Sequence, residues 1–206
     1  MATLTNITND KKGYIDIVMQ KTLFTSDTHF GSERTLELSK RPFNTVAEMD
    51  EYMIDQWNKI VAKHDTVIHL GDFGNFDVRE QLNGKIILIQ GNYEEEIPNK
   101  DILSKLDKND IYITGTEDDH AYLNIDYNDC KYICFHRPID HLVREKIKDI
   151  SKEFFLFGHI HGRQFIKKFG IDVGVDCNHF RPITWDDVQF YQNAMVKKYY
   201  DDNVFC

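Results

Sequence analysis

Residues 66–72 read Thr66-Val67-Ile68-His69-Leu70-Gly71-Asp72. Apolar and β-branched residues dominate the run, which then stops at a glycine and a carboxylate. A half-exposed strand would alternate polar and apolar residues; this one suits a strand covered on both faces. Two other stretches share the design. Upstream, Thr22-Leu23-Phe24-Thr25 gives way to Ser26-Asp27-Thr28-His29. Downstream, Lys85-Ile86-Ile87-Leu88-Ile89 runs out at Gly91-Asn92. Between the first two, Val46, Met49, Met53, Trp57 and Ile60 recur at spacings of three and four, the period of an amphipathic helix over residues 46–61. The first half therefore reads β-α-β-α-β.

The second half changes character. Tyr122 to Asp126 and Lys131 to Phe135 flank Tyr127-Asn128-Asp129, a hairpin signal, and the hairpin ends at His136. Glu153 to Phe157 is another apolar strand, ending at Gly158-His159-Ile160-His161. Residues 163–177 alternate around Gly170 and Gly174 and predict a further strand pair. Thr184 with Asp187 resembles a capping box opening a last helix, whose buried stripe is Val188, Tyr191, Met195 and Tyr199. A parallel half and an antiparallel half imply two packed sheets with helices outside them.

The chain has 206 residues, 41% of them hydrophobic, enough for one domain with a real core. That domain is expected over residues 20–206, behind a partly frayed extension at 1–19 that is polar over residues 1–12 and turns apolar from Tyr14. Lys plus Arg is 25 and Asp plus Glu is 34, a net charge of −9. Such a surface argues against coating duplex DNA or binding an anionic membrane. No apolar run approaches the roughly 20 residues of a membrane span, and the first residues lack signal-peptide order, so a cytoplasmic location is expected. The four cysteines, Cys130, Cys134, Cys177 and Cys206, form no CxxC pair. They are expected as free thiols, Cys130 and Cys134 as small core residues.

Five strands in turn end in Asp, His or Asn: Asp27 and His29, Asp72, Asn92, His136, then His159 and His161. Polar groups at strand ends sit on a rigid frame with free side chains. Glycine immediately precedes Asp72, Asn92 and His159 and is expected to permit the turn that lifts each donor out of its sheet. The seven donors are hard oxygen or borderline nitrogen, without a thiolate. They suit Mn²⁺, Fe²⁺, Zn²⁺ or Ni²⁺ and are too nitrogen-rich for Ca²⁺. Seven are too many for one tetrahedral ion, whereas one bridging carboxylate lets them serve two ions with open positions left. In an extended strand, residues i and i+2 share a face, so Asp27-x-His29 and His159-x-His161 could each reach one centre.

D-x-H, G-D, G-N, H and G-H-x-H, in that order, resemble the calcineurin-like metallophosphoesterase superfamily, over about residues 20–190. Small stand-alone bacterial and phage phosphoesterases are similar at Phe24 to Gly31, at Gly174-Val175-Asp176 and at Arg181-Pro182. The resemblance implies a four-layer α/β/β/α sandwich with two central mixed sheets. It implies a first ion on Asp27, His29 and His161, a second on Asn92, His136 and His159, and Asp72 between them. It further implies hydrolysis of a phosphate ester, with Asp72 and Asn92 in the catalytic centre, a hydroxide shared by two Mn²⁺ ions as nucleophile, and a small ester or nucleotide as substrate. The family's usual histidine after the G-N asparagine is here Tyr93, a weaker acid. A leaving group would then draw its proton from solvent, from Tyr93, or from a residue such as His120 or His179. Arg34, Arg137 and Arg181 are candidate phosphate clamps. His69 is expected as a satisfied core histidine and the Glu94–Glu96 run as a solvated loop. A phosphodiesterase is the first reading; a metal-bound scaffold or a nucleotide phosphomonoesterase are the alternatives.

Overall fold

A computed structural model describes residues 4–9, 13–18, 21–115, 120–138 and 149–198. Strands β3 (Thr22–Thr25), β4 (Thr66–His69), β5 (Lys85–Ile89) and β6 (Ile111–Ile113) lie parallel and side by side. With β12 (Ile183–Thr184), which pairs antiparallel with β3, they make a five-stranded sheet. In register, Thr25 faces His69 and His69 faces Leu88, so the three donor-bearing ends emerge along one edge.

The unbroken apolar runs are explained by both faces of this sheet. Leu23, Val67, Ile86 and Leu88 pack outward, among Met49, Met53 and Trp57 of helix α2 (Val46–Ile60) and Ile102 of α3 (Asn99–Lys105). Each such side chain contributes about 2 kcal/mol on burial. Thr45 caps α2 by accepting the Glu48 N–H, and the helix stops where Val61 turns extended. Short α1 (Glu33–Leu38) is capped by Ser32 and follows the first donor loop.

Phe24, Ile68, Ile87 and Ile89 pack inward, against Leu123, Ile125, Tyr132, Cys134, Phe154, Leu156 and Ile171 of the second sheet. That sheet has seven strands: β10 (Ile166–Lys167), β11 (Gly170–Asp172), β9 (Glu153–Phe157), β8 (Cys130–Phe135), β7 (Tyr122–Tyr127), β1 (Leu4–Asn9) and β2 (Gly13–Val18), in spatial order. β9 runs parallel to both neighbours and the remaining pairs are antiparallel, so both sheets are mixed. The β7–β8 turn places Asn128 and Asp129 at φ 48° and 59°, as a two-residue hairpin with right-handed twist requires. Helix α4 (Trp185–Val196) opens on the capping box of Thr184 and Asp187 and packs on β3, β11 and β12.

The architecture is the expected layered α/β with two facing mixed sheets. Two local readings change. Residues 4–9 and 13–18 are not frayed: they pair as a hairpin and extend the second sheet through β7. Of residues 163–177, only 166–172 form the strand pair, and Val175–Cys177 wind into a 3₁₀ turn. Tyr199 and Cys206 lie outside the described residues. Cys130 and Cys134 are buried, as expected of small core residues.

Candidate metal centre

The five strand ends converge. Past β3 and β4 the chain leaves the sheet as two loops stitched by main-chain hydrogen bonds: Asp27 N–H to Gly71 O, His29 N–H to Asp72 O, and Phe30 N–H to Phe73 O, all 2.9–3.0 Å. Asp27, His29 and Asp72 take φ of 58°, 48° and 59°, and His159 and His161 take 73° and 47°. The expected strand alternation is therefore corrected: the donors converge through left-handed loop residues beyond the strands, and strand pleating has no part in it. A left-handed residue other than glycine costs about 1–3 kcal/mol, and such strain collects at functional sites.

Two groups result. Asp27, His29 and His161 each offer a donor atom within 4.8 Å of the other two, and so do Asp72, His136 and His159. Asp72 Oδ2 lies 3.4 Å from His29 Nε2 and 3.4 Å from His136 Nε2, between the groups. Asn92 Oδ1 is 2.9 Å from His136 Nε2, alongside the second. His136 Nδ1–H donates to Leu70 O at 2.7 Å, so its Nε2 turns inward. The rings of His29 and His161 stack at 5.0 Å, and Tyr93 meets His29 edge-on at 4.6 Å.

A divalent cation fits this donor set. Asp27 Oδ1 and both ring nitrogens of His29 are buried without a hydrogen-bond partner. Stranded buried acceptors are costly unless something binds them. The charges agree. Burial pushes the Asp27 carboxyl up. Burial likewise pushes Asp72 up, but the hydrogen bond and charge of His136 outweigh it and bring Asp72 to about 2. Burial pulls His136 down, yet its bond to Asp72 and the charges of Asp27, Asp72 and Glu94 carry it up to about 9. The acidic centre thus draws positive charge inward.

The glycine expectation holds in part. Gly71 has φ 98° and makes a turn closed to other residues, but Gly91 and Gly158 are not left-handed. They are needed because a Cβ would strike Asp72 at one and Asp27 at the other. Three further residues escaped the sequence reading. Glu94 is no solvated loop residue: it is buried and accepts the N–H groups of Asp72, Phe73 and Gly91 at 2.8 Å each. Arg41 and Asp176 form a buried ion pair beneath the first group. Of the candidate clamps, only Arg137 lines a recess with Asn92 and His136, beside His120 and Glu95. Arg34 is exposed on α1, Arg181 is half-buried and His179 is exposed.

His69 is the satisfied core histidine expected. Its Nδ1 accepts the Gly71 N–H at 3.2 Å, and Nε2–H donates to Thr28 Oγ1 at 3.0 Å, which donates on to Phe73 O. Burial first, then the charges of His136 and His29, hold its pKa down at about 3. The unfolded chain takes up this proton near pH 6.5, before the folded chain can. Stability is full above that pH and is lost as pH falls toward 3. From about pH 7.5 to about pH 5, His69 alone is expected to remove about 2 kcal/mol. Urea titrations of metal-free wild type and His69→Gln check this: the variant should lose less over the same interval, and parallel losses would refute it.

A family profile described as a calcineurin-like phosphoesterase superfamily domain matches residues 21–174. An uncharacterized protein of Methanocaldococcus jannaschii, MJ1445, is 26% identical, the match covering 82% of this chain and 89% of that one. The gene 66 protein of mycobacterium phage L5 is 25% identical, covering 77% and 88%. Among solved structures, the Aquifex aeolicus protein AQ665, of unknown function, superposes with a TM-score of 0.62 at 22% identity, covering 82% of this chain and 98% of that one. It shares the fold.

Proposed function

The chain belongs to the calcineurin-like phosphoesterase superfamily, and from that premise we propose that it is a phosphodiesterase working with two divalent ions, Mn²⁺ foremost, on a small phosphate ester or nucleotide in the cytoplasm. The membership makes it a phosphoesterase that uses divalent metal. The observation that carries the finer reading is the Asp72 carboxylate oxygen, equidistant at 3.4 Å from an imidazole of each donor group. Asp27, His29 and His161 would hold one ion, Asn92, His136 and His159 the other, with Asp72 shared. Ions bound there supply Lewis acidity toward the phosphate and acidify water.

The chain's own groups do the rest. Glu94 ties the Asp72 loop to Gly91 through three N–H bonds, two from Asp72 and Phe73 and one from Gly91, and Tyr93 N–H donates to Asp72 Oδ1 at 3.0 Å, leaving Oδ2 to face both groups. Arg137, half exposed and 3.8 Å from Glu95, stands where it can reach a phosphate oxygen beside Asn92. Arg41, the buried cation of the centre, is consumed by Asp176 and two carbonyls. Among the described residues, cationic help for substrate is therefore limited, which suits the single charge of a diester better than the dianion of a monoester. Tyr93 gives no ready acid, so good leaving groups are favoured.

Metal-stripped protein refilled with Mn²⁺ is expected to hydrolyse bis(p-nitrophenyl) phosphate at least about 10-fold faster than p-nitrophenyl phosphate. His161→Ala should lose the activity. Faster turnover of the monoester would overturn the diesterase reading, and two bound ions with no turnover of either ester would leave a metal-bound scaffold.

A further inference from the structure

We propose that Arg41 and Asp176 are positioning residues that preset the Asp27–His29–His161 group for its ion; this rests on the two-ion reading above. Arg41 is 5% exposed and gives its oxygen-directed bonds to three residues. Nε and Nη2 donate to the two Asp176 oxygens at 2.8 and 2.9 Å. Nη2 also donates to Asp27 O at 2.6 Å, and Nη1 to Thr28 O at 2.8 Å. The guanidinium therefore grips the left-handed loop that carries Asp27 and His29. Asp176, on its other side, accepts from His161 Nδ1 at 2.9 Å, with Ser39 Oγ at 3.1 Å from the same nitrogen. That bond places the proton on Nδ1 and leaves the Nε2 lone pair toward Asp27 Oδ1, 3.9 Å away. One rigid, bidentate cation thus ties all three donors of the first group together across 135 residues.

The second group is braced differently. The Nδ1 of His136 is fixed by a main-chain carbonyl, Leu70 O, and the Asp72 loop by Glu94. Among the described residues the Arg41–Asp176 pair shares no hydrogen bond with either brace, so its loss should act on one ion site and spare the other. An ion pair that merely stabilised the fold would weaken both alike.

The test is calorimetric titration of metal-free full-length protein with Mn²⁺, with far-UV circular dichroism of every variant. Asp176→Asn removes the charge that orients His161; Arg41→Lys keeps a charge but cannot bridge. Each is placed in two backgrounds. In His159→Ala, where the first group is the intact one, either change should weaken the remaining site about 10–100-fold. In His161→Ala, where the second group is intact, either should shift it less than about twofold. Equal losses in both backgrounds, or none in either, would overturn the positioning role while leaving two bound ions in wild type. A wild-type chain that takes up no more than one ion would instead overturn the two-ion reading, and the proposal with it.

Discussion

Asp72→Asn is expected to lower kcat/KM for a phosphodiester by about 10³-fold, the scale seen when a group that stabilises transition-state charge is removed. The two oxygens of Asp72 have different duties. Oδ1 accepts the Tyr93 N–H at 3.0 Å. Oδ2 faces the Nε2 atoms of His29 and His136. In the asparagine variant the amide oxygen keeps the Tyr93 bond, since its NH₂ group cannot accept one. The NH₂ then turns to the position of Oδ2 and points two donors where lone pairs have to converge. The shared anion disappears, and what replaces it repels a cation. On the two-ion reading, metal content should fall from two ions per chain to one or none, and activity with it. Initial rates and bound metal on the same samples check this. A variant that kept two ions and a tenth or more of the activity would show that Asp72 is not shared between the sites.

The parts legible in the sequence are those that local pattern controls. The run Thr66–Leu70 needed cover on two faces, and the sheet supplies it with Val67 outward and Ile68 inward. The helix over residues 46–61 and the Thr184–Asp187 capping box were readable because a 3.6-residue period and a three-residue cap span less than two turns. The donors were readable because each stands just past its own strand. What braces them was not. Arg41 and Asp176 meet across 135 residues: Asp176 stands in the quoted Gly174-Val175-Asp176 stretch, but nothing local pairs it with Arg41. Glu94 sits in a run of three glutamates that looks solvated, yet its carboxylate turns inward to three main-chain N–H groups. The first N-terminal strand, Leu4–Asn9, is polar by sequence, and its place beside β7 is a pairing across more than 110 residues. Long-range register of that kind leaves no periodicity to read.

Gly158→Ala is expected to cost the first donor group its ion and the fold about 1–3 kcal/mol, the penalty of overpacking a dense site. The backbone is not the obstacle, because φ at Gly158 lies outside the left-handed region and alanine could adopt it. Space is. An added Cβ would fall on Ser26 Oγ and Asp27 Oδ2, with Ser26 Cβ at 2.6 Å. Neither neighbour can move far. Ser26 is fully buried, and its hydroxyl donates to Gly71 O at 3.3 Å. Asp27 Oδ2 accepts the His159 N–H at 2.8 Å, and the Gly158 N–H itself donates to His136 O at 2.9 Å. The methyl group therefore drives β9 and the β3 loop apart at the point where both donor groups are joined. Two effects should separate in a double variant. Adding Ser26→Gly removes the clash with the serine and should restore much of the melting temperature. It leaves the clash with Asp27, so Mn²⁺ binding should stay lost. Thermal unfolding and Mn²⁺ titration of both variants decide the matter: if Gly158→Ala alone binds as many ions as wild type, and as tightly, the close approach of Asp27 to this glycine is not what holds the first group in place.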